Sequence, residues 1–165
     1  MVRVEAFFDT WKAIRQDSAQ AVEDFPPEEF DFKPVPELMS FREIARHILD
    51  AGHALTGVLY DGFEDLASCR QLFKDYAVPL ASGAKPAALA AALRDSLALR
   101  ASQLLEKPPE FFSGFVTRMD GQRVTRLEML QFIKEHEVAH RAQLFLYLRL
   151  KGIVPATTRR RQAKQ

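Results

Sequence analysis

The stretch EHEVAH, residues 135–140, sets His136 and His140 one helical turn apart with Glu137 between them. Two imidazoles on one helix face can grip a divalent ion through their ring nitrogens. H-E-x-x-H is also the spacing a zinc peptidase uses for two ligands and a general base. A peptidase of that class takes its third ligand from downstream, and residues 141–165 contain no His, Asp or Glu. That excludes the usual peptidase arrangement. Glu137 also has a local partner in Arg141, four residues on and in the favourable Glu-before-Arg order. The pairing predicts a modest surface ion pair rather than a catalytic base.

A third ligand must then come from upstream, where the other histidines are His47 and His53. Six residues separate them, about 120° around a helix, so they cannot both point at one spot. His47 shares a face with Ile44 and Ala51 and is the better candidate. His47, His136 and His140 would leave coordination positions open to water or substrate, as a catalytic site requires. Three neutral imidazoles suit Zn, Ni or Fe(II). Spacing alone equally accommodates a hydrogen-bonded core histidine and a chance H-x-x-x-H pair. Gln143 lies on the same stripe, where it either contacts a ligand or substrate or packs between helices. Asp50, one turn after His47, is placed to orient an imidazole, although a solvated surface role suits it better. Cys69 has no basic neighbour except Arg70 and reads as a buried thiol, not a nucleophile.

These side chains need helices to hold them. Residues 2–24 place Val4, Phe7, Phe8, Trp11, Ile14 and Val22 at helical spacing and stop before Pro26 and Pro27. FPPEEFDFKPVPELM, residues 25–39, reads as an ordered loop. Ser40 with Glu43 forms a capping box for a second helix, striped by Ile44, Ile48, Leu55, Val58 and Leu59 and ended by Gly62. Residues 61–85 suggest a short helix near 65–76 and then a loop. Pro86 begins a third helix, carrying Leu89, Leu93, Leu97 and Leu104, that runs to Pro108. FFSGF, 111–115, is either a partner-facing patch or a loop folded over the bundle end; the latter is preferred. FVTRMDGQRVT suggests a small β-hairpin turning at Asp120-Gly121. Thr125 with Glu128 opens a last helix of about 26 residues, near 39 Å, ending at Gly152. Four amphipathic helices with a long first connection describe an all-α four-helix bundle, which places metal sites between facing helices.

Composition narrows the functional classes. Of 165 residues, 47% are hydrophobic and 27% charged, which suits one globular domain. With 23 Lys and Arg against 22 Asp and Glu, no global field favours nucleic acid or anionic lipid. The basic end TTRRRQAKQ has no interleaved aromatics, so residues 157–165 are expected to form a flexible, solvated tail. A single cysteine fits a reducing compartment. The first 17 residues lack the apolar core of an export signal, and LFLYLRLKGIV is interrupted by Arg149 and Lys151. A cytoplasmic protein with neither a nucleic-acid nor a membrane partner is expected.

SFREIARHILDAG, followed about 90 residues later by EHEVAHRAQLFLYLRLKGIVP, resembles the DinB/YfiT-like family of metalloenzymes, a damage-inducible four-helix family distinct from the DNA polymerase of similar name. The resemblance covers residues 1–156, taken as one domain, and its specific part is His47 with H-x-x-x-H-R-x-Q-L and KGIVP. It implies an up-down-down-up bundle with His47, His136 and His140 as ligands of one divalent metal. It also implies a homodimer acting on a small molecule as a thiol-dependent S-transferase or isomerase, with a low-molecular-weight thiol such as bacillithiol or mycothiol as cosubstrate. A hydrolase is the further enzymatic possibility, and a non-catalytic metal-binding or stress-response sensor the competing one. Ala142 departs from the family run, where Gly is more usual, and a methyl group there should leave the ligands unmoved.

Overall fold

Both capping boxes form and start the two helices that carry the histidines. In the computed structural model, which describes residues 3–164, Glu43 N donates to Ser40 Oγ at 3.2 Å and Ser40 N donates to Glu43 Oε2 at 2.6 Å. The reciprocal bonds at Thr125 and Glu128 measure 3.2 and 2.7 Å. Each box satisfies amides that the first turn leaves without partners. Helices α1 (Val4–Asp24), α2 (Phe41–Tyr60), α3 (Pro86–Leu105) and α5 (Arg126–Leu150) form the bundle, with a one-turn α4 (Pro109–Ser113) before the hairpin. The hairpin pairs β1 (Phe115–Thr117) with β2 (Arg123–Thr125) in antiparallel register, Val116 opposite Val124. Gly121, at φ +84°, takes the left-handed turn position that a side chain would strain.

Helix α1 packs against α3 and α5, and α2 packs against the same two, so α1 and α2 lie on one diagonal. The core divides into two apolar clusters. Phe8, Trp11, Leu59, Leu104 and Ile133 belong to one; Val22, Ile44, Leu89, Leu144 and Leu148 belong to the other. Helices α1 and α5 run from the first cluster to the second, while α2 and α3 run back. That is the up-down-down-up order.

Three segments differ from, or sharpen, the expectation. Residues 61–85 contain a 3-10 helix, Ser68–Lys74, whose Cys69 is buried. Phe112 of FFSGF is buried against the bundle end, so that stretch is mainly a cover, although Phe115 is exposed. The basic end, expected to be a flexible tail, carries a short helix α6 (Ala156–Gln162). Arg159 meets Asp24 at 2.7 Å and Arg160 meets Asp17 at 2.6 Å, which ties it to α1.

Between the two clusters lies a polar belt, and Glu137 is at its centre. The sequence reading put Glu137 on the surface with Arg141; instead it is 2% exposed and turned into the bundle. Arg15 donates to it from Nε and Nη2, both at 2.8 Å, Trp11 Nε1 at 2.6 Å and Ser18 Oγ at 3.0 Å. Arg15 Nη1 also reaches the Leu93 carbonyl at 3.0 Å. Arg141 pairs with Asp17 at 3.6 Å instead. Gly52 makes room for the network: a Cβ there would stand 2.8 Å from Arg15 Nη2.

Truncating one member of a buried ion pair strands the other. Glu137→Ala should lower unfolding free energy by about 3–5 kcal/mol, whereas replacing Arg15 and Glu137 together by Met should recover most of that loss. Urea unfolding of both variants checks this. A double variant no more stable than the single one would show that the network does not act as a unit.

Candidate metal centre

The belt opens on its α2–α5 side, where three imidazoles converge. His47 is on the half-buried edge of α2, seven residues after the capping serine, and His136 and His140 face it from α5. His47 Nε2 stands 3.2 Å from His136 Nε2, and His140 Nε2 stands 3.1 Å from the same atom. The rings are nearly perpendicular to one another, at 71°, 80° and 80°. One ligand atom from each lies within 4.8 Å of the others. The arrangement brings together the three histidines that the sequence picked out.

Gln143 is exposed, and its Oε1 lies 2.8 Å from His140 Nδ1. An amide oxygen only accepts, so Nδ1 carries the proton and Nε2 presents its lone pair to the other rings. Burial holds the His47 imidazole below its usual pKa, with His140 adding to the effect. His136 is pushed down to about 4 by burial and then by His140 and His47. Ring nitrogens brought this close repel one another unless something electropositive or a shared proton lies among them. Three nitrogens held by a cation at about 2.0–2.1 Å are roughly 3.0–3.4 Å apart. Two of the three separations fall in that interval, and the third, between His47 and His140, lies within 4.8 Å. The residues present fit a divalent ion.

The other candidates sort differently. His53 lies apart, its Nε2 3.1 Å from Arg100 Nη2. Asp50 is held by Arg46 at 2.7 Å. Ala142 is exposed, so its methyl group stays clear of the imidazoles. Burial raises the pKa of Cys69, which disfavours its thiolate. Glu137 faces Arg15 and has no base role at the histidines.

Sequence reading missed what surrounds the centre. A cavity of about 520 Å³ opens from His47 and His136, between α2, α5, the 3-10 helix and the hairpin turn. Ala54, Leu55, Phe73, Met119, Met129 and Phe132 form most of its wall, and Arg118 stands at its rim. The Asp-Gly turn signalled the hairpin but not what the hairpin covers. Arg15 carried a signal that went unread: it continues the Phe8, Trp11, Ser18, Val22 stripe, where an arginine requires a buried partner.

The DinB family model matches residues 1–165. The chain belongs to the DinB family. It is 24% identical over 133 residues to the uncharacterized protein YjoA of Bacillus subtilis (strain 168), covering 81% of this chain and 80% of that one. The crystal structure of the DinB-like YjoA superposes with a TM-score of 0.69 at 21% identity, over 88% of this chain and 90% of that one. A mycothiol-dependent maleylpyruvate isomerase superposes with a TM-score of 0.64 at 17% identity, over 87% of this chain and 61% of that one. At these identities the superpositions establish a shared fold. Among the described residues no helix is long and apolar enough to cross a membrane.

His53 generates a pH prediction. Burial first, and then Arg100 and Arg15, push its pKa from 6.5 to about 4. The unfolded chain therefore takes up this proton first. The contribution of neutral His53 is fully present above pH 6.5 and is lost as the pH falls towards 4. The urea midpoint should fall between about pH 7 and pH 5, and fall less in His53→Gln. Equal decreases in the two proteins would remove His53 as a source of acid lability.

Proposed function

We propose that His47, His136 and His140 bind one divalent ion (zinc, nickel or iron(II)) and that the protein is an enzyme using it with a low-molecular-weight thiol, as a transferase or isomerase. The observation that carries this is the convergence of three Nε2 atoms beside a half-open, largely apolar cavity. The fold shared with a mycothiol-dependent maleylpyruvate isomerase supports the thiol. Hydrolysis is the other reaction class such a site would serve.

When bound, such an ion supplies Lewis acidity, lowering the pKa of a coordinated water or thiol. The remaining functions belong to the chain. Gln143 fixes the tautomer of His140, as hydrogen-bond acceptors do for metal-binding imidazoles. Burial keeps His47 and His136 neutral and available as donors. The apolar wall excludes water, which strengthens electrostatic interactions beside the histidines.

A second reading, a non-catalytic dimeric sensor, draws support from exposed Leu146, Leu150 and Val154 at the end of α5 and just beyond it. Apolar side chains grouped in this way suit burial against another copy.

Elemental analysis after dialysis should find one ion per chain in the wild type and far less in His47→Ala. Gln143→Ala should bind about 10–100-fold more weakly in competition with a chromophoric chelator. Equal metal content in wild type and His47→Ala would remove His47 from the ligand set. Incubation with a panel of thiols and electrophiles should then yield a conjugate that disappears on chelation. Metal-dependent dimerisation on a sizing column, with no product from any pair, would favour the sensor.

A further inference from the structure

The metal centre opens into a cavity whose chemistry restricts what can reach it. At about 520 Å³ it lies within the ordinary range for small-molecule sites. Helix α2 contributes Ala51, Ala54 and Leu55, and α5 contributes Met129 and Phe132. The charged groups at its rim are already paired. Arg118 Nη2 bonds Asp120 Oδ2 at 2.9 Å while its guanidinium lies 4.1 Å from the centre of the Phe132 ring. Asp50 Oδ2 is bonded by Arg46, and its buried Oδ1 is left as a single acceptor without a partner. No uncompensated cationic side chain remains in the lining to draw in an anion. Nor does the wall offer a row of donors and acceptors for a polyhydroxylated molecule, each stranded hydroxyl of which costs roughly fivefold or more in affinity.

We propose that this cavity takes the neutral, hydrophobic body of a small organic molecule, with one polar head group directed at His47 and His136. The head-group assignment rests on the metal site read above; the nature of the body rests on the wall alone. In a thiol-dependent reaction this molecule is the hydrophobic partner, and a hydrophilic thiol reaches the histidines from outside the cavity. Ala51, one turn beyond His47, and Phe132, one turn before His136, set the length and width of the body. They are specificity-determining positions.

The test uses the full-length protein in metal-loaded and chelator-treated forms. The neutral fluorophore 1-N-phenylnaphthylamine is bound and then displaced by 1-alkanols of increasing length. Displacement should tighten about three- to fourfold per methylene until the cavity is full, in both forms. Ala51→Phe should shorten the series, and Phe132→Ser, at an exposed position that the core does not need, should flatten it. In the chelator-treated form, where no cation attracts a carboxylate, alkanoates of matched length should compete no better than the alkanols. A flat wild-type series overturns the proposal, as do alkanoates that bind the chelator-treated form tenfold better than the alkanols. A series unchanged in both variants also overturns it, since the probe would then occupy the separate cavity of about 550 Å³ near Leu105 and Phe112. A protein that takes up no metal yet keeps the graded series removes the metal reading and leaves the hydrophobic body standing. One that binds metal and shows no series removes this proposal alone.

Discussion

The buried Arg15–Glu137 pair sets the rotation of α5, and the three-histidine cluster depends on that rotation. Successive helical residues are about 100° apart. With Glu137 turned towards α1, His136 lies about 100° to one side, and His140, three residues on, about 60° to the same side. Both are thereby directed at α2. Turning α5 away from this setting would separate a carboxylate from four donors in a region buried from solvent. A slide by one turn would set Ile133 or Arg141 against Arg15 and leave its charge uncompensated. Apolar contacts alone tolerate such shifts far better, because any leucine packs acceptably against several neighbours.

The belt has a cost in stability that the two clusters offset. It desolvates an ion pair, places Gly52 within α2, and sets three imidazole lone pairs against one another. Each of these would be more favourable as packed hydrocarbon. The clusters on either side of the belt are well packed, with Phe8, Trp11, Ile44, Leu89 and Leu148 essentially inaccessible to solvent. A rigid scaffold above and below lets the middle layer hold unfavourable chemistry at fixed distances, as a binding site of three ligands on two helices requires.

What was legible in the sequence was local. Capping boxes, proline boundaries and apolar spacing are properties of a few consecutive residues, and the four long helices followed from them. The choice of His47 over His53 needed only helical geometry and the apolar neighbours of each. Glu137 was misplaced for the same reason in reverse: Arg141 is its visible local partner, whereas the partner it uses lies 122 residues earlier. The helix at 156–162 escaped because its anchors, Asp17 and Asp24, are on another element. Within 61–85 the short helix expected near 65–76 forms as the 3-10 turn Ser68–Lys74. Its placement was not legible, because it is set by distant partners: Leu66 N to Thr117 O at 2.9 Å, Thr117 N to Glu64 O at 2.6 Å, and Arg46 to the Val78 and Leu80 carbonyls.

Those two backbone bonds also separate the site into independently variable parts. The histidines stand on α2 and α5, whose orientation the belt fixes. The roof of the cavity hangs from the hairpin and the 3-10 segment, which are joined to each other at Thr117. A change at Met119 or Phe73 alters the space offered to a ligand without touching Arg15, Glu137 or Gln143. Conversely, a change in the belt disturbs the imidazoles and leaves the roof its own hydrogen bonds. Variants of the two kinds share no hydrogen-bond partner. A bundle built in this way can keep one arrangement of histidines while its loops redefine the space beside it, because the forces that position the imidazoles and those that shape the cavity act through different residues.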